Sequence, residues 1–160
     1  VSLFKELMKE YFVDMVNGES MKPFYNNGDF FAFRDIKKEE EIKRKEIILF
    51  WNPTKTGGKM LKRVIGLPKE KVEYKDGFIT IEQDGQKTIL EESYIKDKPL
   101  GNFYWELGTN EFLVLGDNRG GSQDSRVFGP IKKDKIIAKI IGRMYRFGER
   151  QSSYKLLTWD

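Results

Sequence analysis

The chain has 160 residues, enough for one domain with its own core, and its 39% apolar and 14% aromatic content can fill that core. Its 29 basic and 25 acidic residues interleave to a net charge of +4, leaving no basic stripe that would suit nucleic acid. Histidine and cysteine are absent, which excludes a Ser-His-Asp triad, a Cys-His pair, disulfides and any zinc site built on those residues; nor does any apolar run reach the ~18 residues of a membrane span.

Residues 1–16 place Leu3, Phe4, Leu7, Met8, Tyr11 and Phe12 at helical spacing between charged residues, which predicts an amphipathic helix that packs on the core or lies on a membrane surface. Residues 18–29 form a loop in which Ser20 lies between Gly18 and Pro23. Phe30–Phe33 reads as a short aromatic strand, and residues 37–46 as a solvated charged excursion. Ile47–Trp51, stopped by Asn52-Pro53, reads as a strand covered on both faces, and Lys59–Gly66 as the next strand. Asp76-Gly77 and Asp84-Gly85 predict two hairpins within 72–89. Residues 91–110 read as irregular, 112–115 as a strand, 116–129 as a glycine-rich loop, and 136–147 as a final strand or strand pair broken near Gly142. Short strands without βαβ alternation make the chain mainly β, a single domain over 1–160 without an internal boundary.

With no histidine or cysteine, nucleophilic chemistry must take its base from a lysine, a carboxylate or an N-terminal amine. A serine in a Gly/Pro/Asn-rich loop is ordinarily a turn residue, although Pro23 and Gly18 would also hold a hydroxyl in one orientation. Lys62 stands out because Leu61, Val64 and Ile65 surround it. A free lysine has a pKa near ~10.4, so about one in a few thousand is neutral at pH 7; burial can lower that value by several units. A snorkelling edge lysine is the plainer reading of the same residue. Gly116–Arg126 packs two Asp, two Arg, two Ser and an Asn into eleven residues, which suits either a cross-braced loop or a polar surface loop.

Taken together, these stretches resemble the bacterial type I signal peptidases (leader peptidases), Ser-Lys serine proteases. The resemblance rests on Ser20-Met21-Lys22-Pro23 with Gly28-Asp29, on the strand ending at Pro53, on Lys62-Arg63-Val64-Ile65-Gly66-Leu67-Pro68, and on Gly116-Asp117-Asn118 through Ser122, Asp124, Ser125 and Arg126. It implies two packed antiparallel sheets in a coiled β fold, with a small non-catalytic β subdomain inserted at about 72–111. It also implies a membrane-spanning segment ahead of Val1 and no metal or cofactor. Ser20 would be the nucleophile, Lys62 the general base, Ser122 the group that hydrogen-bonds Lys62, and Asp124 its support. Arg63, Asp117 and Arg126 would form structural ion pairs. Val16, Met21, Tyr25, Phe31, Met60 and Leu61 would line pockets for small residues, an Ala-x-Ala pattern. The implied partners are preprotein signal peptides and a lipid surface. Phe30–Phe33 and Ile47–Trp51 read either as strands that present aromatic side chains to lipid or as core. The implied location is the extracytoplasmic face of the bacterial cytoplasmic membrane, as a monomer.

The chain departs from the family pattern in places. Gly18 cannot supply the hydroxyl that some members use in the oxyanion hole, Phe24 stands where threonine is usual, and Lys69-Glu70 replaces a common Gly-Asp, which reads as a turn difference. Rival readings are a self-cleaving repressor-type Ser-Lys protease and an inactive signal-peptide-binding domain. Ser2-x-x-Lys5, Ser93-x-x-Lys96 and Lys55-Thr56-Gly57 mimic penicillin-binding motifs, but in an order and length that suit chance matches.

Overall fold

A computed structural model describes residues 9–54, 57–146 and 154–158. Among the described residues, twelve strands run in chain order: β1 (Tyr11–Met15), β2 (Phe30–Asp35), β3 (Ile47–Trp51), β4 (Lys59–Gly66), β5 (Lys71–Lys75), β6 (Phe78–Gln83), β7 (Gln86–Ile89), β8 (Asn102–Glu106), β9 (Glu111–Leu115), β10 (Ile131–Lys132), β11 (Ile136–Arg146) and β12 (Tyr154–Thr158). A short helix, α1 (Ser125–Phe128), follows a 3-10 turn at Arg119–Gly121. An eight-stranded sheet has the order β1-β2-β11-β3-β4-β9-β10 with β12 added to β11, and a four-stranded sheet has the order β7-β6-β5-β8. Every pairing is antiparallel.

The apolar run of β3 is buried on both faces, as its composition predicts. Ile47 and Leu49 join Val16, Met21, Tyr25, Phe31 and Phe33 in one cluster, while Ile48 and Phe50 join Val64, Phe112 and Val114 in another. A third cluster ties the sheets together by packing Ile65, Leu113 and Leu115 against Val72, Tyr74, Ile79 and Ile81. The two Asp-Gly hairpins also form as predicted. Asp76 and Gly77 take φ 49° and 88°, and Asp84 and Gly85 take 51° and 78°, the paired positive values of the tight turn that matches strand twist.

Several expectations are corrected. Residues 1–8 of the predicted amphipathic helix lie outside the described residues, but Tyr11–Met15 is a strand. Phe12 pairs with Phe33 and stacks on it at 5.1 Å, so an open ladder and an aromatic partner decide its conformation against helical spacing. The stretch 91–110 is not wholly irregular, because Asn102–Glu106 forms β8. Phe103 meets the edge of Tyr74 at 5.9 Å and stacks on Trp105 at 5.7 Å. Gly142 marks a register shift within one continuous β11 rather than a break. Of the two readings left open for Phe30–Phe33 and Ile47–Trp51, core burial holds for most of their length: Phe31, Phe33, Ile48 and Phe50 are buried, while Phe30 and Trp51 are exposed.

Candidate active site

The loop carrying Ser20 is closed at its base. The Val16 N–H donates to the Asp29 carbonyl at 2.8 Å, and the Gly28 N–H to the Val16 carbonyl at 2.9 Å. The Gly18 N–H reaches Asn27 Oδ1 at 2.9 Å, with Gly18 at φ 97°, a conformation open to glycine. Asp29 takes the Asn26 N–H at 3.0 Å and Arg143 of β11 at 2.7 Å, so the loop is pinned to the central strand. Beneath the loop, Met21, Tyr25 and Phe31 are buried side by side, with the Tyr25 and Phe31 rings 4.9 Å apart.

β4 carries Lys62 to this loop. The Lys62 Nζ donates to Ser20 Oγ at 2.7 Å and to the Leu61 carbonyl at 3.0 Å. Lys62 is 3% exposed. Burial pulls its pKa down to about 8 from the ordinary 10.5, against the opposing pull of Asp124 and Asp117. Forty-two positions separate the two residues in sequence; the closed loop and the β3–β4 ladder bring them together.

Around this pair, Gly116–Arg126 forms a braced frame. Asp117 takes a two-point contact from Arg63, Nε to Oδ1 at 2.8 Å and Nη2 to Oδ2 at 2.6 Å. Asp124 accepts from Arg126 Nε and Nη2 at 2.9 and 2.8 Å, from the Gly116 N–H at 2.9 Å, and from the Arg126 N–H as the cap of α1. Ser125 Oγ, buried behind them, accepts the Val114 N–H at 2.9 Å. Gly116 leaves room for its neighbours: a Cβ there would lie 2.1 Å from Ser122 Oγ and 2.6 Å from the Ser20 carbonyl.

Ser122 departs from its expected contact. It lies beside Gly116 and Ser20, yet its buried Oγ has no hydrogen-bond partner, and the Lys62 amine bonds instead to Ser20 and to the Leu61 carbonyl. Of the residues expected to line a pocket, Val16 and Leu61 border a small cavity of about 110 Å³ together with Met15, Phe33, Leu49 and Lys59. Met21, Tyr25 and Phe31 pack in the cluster that backs Val16. Met60 does not border it: alternation along β4 turns it away from Leu61, and it packs with the cluster of Ile48 and Phe50. Phe24, which stands where threonine is usual in the family, is half-exposed.

Composition concealed two buried ion pairs. Glu92, from the segment read as irregular, binds Arg119 at 3.0 and 2.5 Å, while Tyr94 donates to Glu92 at 2.8 Å and its ring lies 4.5 Å from the Arg63 guanidinium. Glu70 is buried against Arg44 at 2.8 and 2.5 Å and accepts the Leu67 N–H, so the Lys69-Glu70 pair is more than a turn variant. Nothing in local spacing signals either pair, because each partner is distant in sequence.

A coiled antiparallel framework with a serine hydroxyl against a buried lysine is the arrangement of the Ser-Lys class of serine hydrolases. The sequence profile described as signal peptidase, peptidase S26, matches residues 8–145. Signal peptidase IB of Staphylococcus aureus is 31% identical over 156 residues, covering 87% of this chain and 80% of the relative. Signal peptidase I of Leptolyngbya laminosa is 32% identical over 148 residues, covering 84% of this chain and 70% of the relative. A crystal structure of a signal peptidase I from Enterococcus faecalis V583 superposes with a TM-score of 0.51 at 30% identity, over 61% of this chain and 94% of that one. The chain therefore belongs to the signal peptidase family, peptidase S26, a family of serine endopeptidases.

Proposed function

We propose that this chain removes N-terminal signal peptides from exported preproteins, cutting after small residues through an acyl-enzyme on Ser20, with Lys62 as general base. The observation that carries this reading is the 2.7 Å contact between a dry amine and a loop hydroxyl. With a pKa of about 8, roughly one Lys62 in ten is neutral at pH 7, a few hundredfold more than for a free lysine. The neutral amine accepts the Ser20 proton as Oγ attacks the scissile carbonyl, and the Ser20 N–H donates to the resulting oxyanion. The ammonium then protonates the leaving amine, leaving an ester on Ser20. Water, deprotonated by the same amine, hydrolyses that ester and restores the free hydroxyl.

The 110 Å³ cavity beside Val16 and Leu61 would take a small residue of an Ala-x-Ala-like sequence. The enzyme works at the extracytoplasmic face of the bacterial cytoplasmic membrane. No helix among the described residues is long and apolar enough to cross a membrane. Lipid contact is instead read from half-exposed Met15 and Phe30, register partners on β1 and β2, and from Phe24 and Trp51. Residues 72–111 are an inserted, non-catalytic β unit, whose Glu92 and Tyr94 brace the site through Arg119 and Arg63.

The test is incubation with a preprotein in detergent, with the cut mapped by mass spectrometry. One cut after a small residue is expected from the parent chain, and none from folded Ser20→Ala or Lys62→Ala. Near-normal cleavage by either variant would overturn the assignment of its role.

A further inference from the structure

We infer that Asn118 is a positioning residue of the reaction, holding both peptide carbonyls that flank the Ser20 Cα and so aiming the Ser20 N–H at the oxyanion. This rests on the reading of Ser20 as nucleophile. The Asn118 N–H donates to the Ser20 carbonyl at 2.9 Å, and Asn118 Nδ2 donates to the Glu19 carbonyl at 3.2 Å. The second contact matters most. In a trans peptide the C=O and N–H point in opposite directions in one plane. Holding the Glu19 oxygen therefore also holds the Ser20 N–H, which belongs to the same peptide unit. Among the described residues, no group accepts a hydrogen bond from that N–H, so it is available to the reaction. Gly18 brings no side-chain donor, which leaves more of the oxyanion stabilisation to the aim of this backbone group.

The side chain of Asn118 is committed to this contact. Asn118 occupies the N-cap of the Arg119–Gly121 turn, where an asparagine would ordinarily bond its own turn, yet it makes no side-chain cap bond and reaches Glu19, 99 positions away in sequence. Gly121 accommodates it. A Cβ at 121 would lie 2.7 Å from Asn118 Nδ2 and 3.2 Å from its Cγ, so the carboxamide fills the space that a side chain would need. The platform is stiff: Arg119 Nε donates to the Gly116 carbonyl at 2.9 Å, and Arg126 Nη2 donates to the Arg119 carbonyl at 2.8 Å.

The experiment compares parent, Asn118→Ala, Asn118→Asp and Gly121→Ala on a peptide ester substrate and on its thionoester counterpart, whose sulfur accepts hydrogen bonds poorly. In Asn118→Ala, kcat on the oxygen ester should fall by roughly tenfold to a hundredfold, less than the 10²–10³ that loss of an oxyanion donor costs. KM should change little, and the acid limb of the pH profile should stay in place, because the Lys62–Ser20 contact is untouched. The oxygen ester's advantage over the thionoester should shrink, and Gly121→Ala should show the same shrinkage. Asn118→Asp keeps the shape but removes the Nδ2 donor, and it carries the test if Asn118→Ala does not fold. Parent-like kcat in a folded variant, or a fall with an unchanged oxygen-to-sulfur ratio, overturns the inference. Cleavage by a parallel Ser20→Ala control would instead overturn the assignment of Ser20 on which it rests.

Discussion

Burying the Lys62 amine works against folding and for chemistry at once. Its pKa is about 8 in the folded protein and 10.5 when free, so between those values the unfolded chain holds a proton that the folded chain has released. Stability therefore rises with pH across that window, and below pH 8 the full cost is present, about 3 kcal/mol. Lys62→Met should be inactive, yet more stable at pH 7 by up to about 3 kcal/mol, an advantage that narrows at pH 10. Urea unfolding at the two pH values measures it. Gly116 is constrained by space rather than charge. Its added Cβ would meet not only a rotatable hydroxyl but also Ser122 Cβ at 2.5 Å and the Ser20 carbonyl at 2.6 Å. Gly116→Ala should lower the rate of Ser20 acylation about a hundredfold, because a shift of the nucleophile by a fraction of an ångström spoils its alignment. Stopped-flow acylation of a chromogenic ester reads this directly.

The 116–126 loop and the turn after β4 behave as units. Asp124 caps α1, holds Arg126 and accepts the Gly116 N–H. Replacing it with alanine leaves Arg126 without that carboxylate and should cost about 3 kcal/mol or more in urea titrations. Asp124→Asn is milder and more informative. The Asp124 charge raises the Lys62 pKa, so removing it should move the acid limb of the kcat/KM profile below pH 8. The turn is different. Exposed Lys69 takes φ 68°, a region that side chains with a Cβ avoid, while Glu70 beside it is locked to Arg44. Lys69→Gly should relieve that strain and stabilise the fold by about 0.5–1 kcal/mol, with cleavage unchanged. Thermal denaturation checks it.

At the scale of the molecule, the two sheets share one apolar seam, and the loop between β1 and β2 lays Ser20 against Lys62 on the interior strand β4. If exposed Phe24, Phe30 and Trp51 meet lipid, the chain should co-sediment with vesicles, and the triple alanine variant should lose most of that binding while its fold is kept. The sequence alone determined the Asp-Gly turns and the doubly buried β3, because each rests on local chemistry, a turn-forming pair or a run of apolar residues. The absence of histidine and cysteine narrowed a base to a lysine, a carboxylate or an N-terminal amine, and the resemblance singled out Ser20 and Lys62. Tertiary structure alone decided that Tyr11–Met15 is a strand, that Ser122 leaves Lys62 to other partners, and that buried Glu70 and Glu92 hold Arg44 and Arg119. Those outcomes depend on partners far away in the chain. Strand pairing and desolvation outweigh local preference there, and spacing along the sequence does not encode who the partner will be.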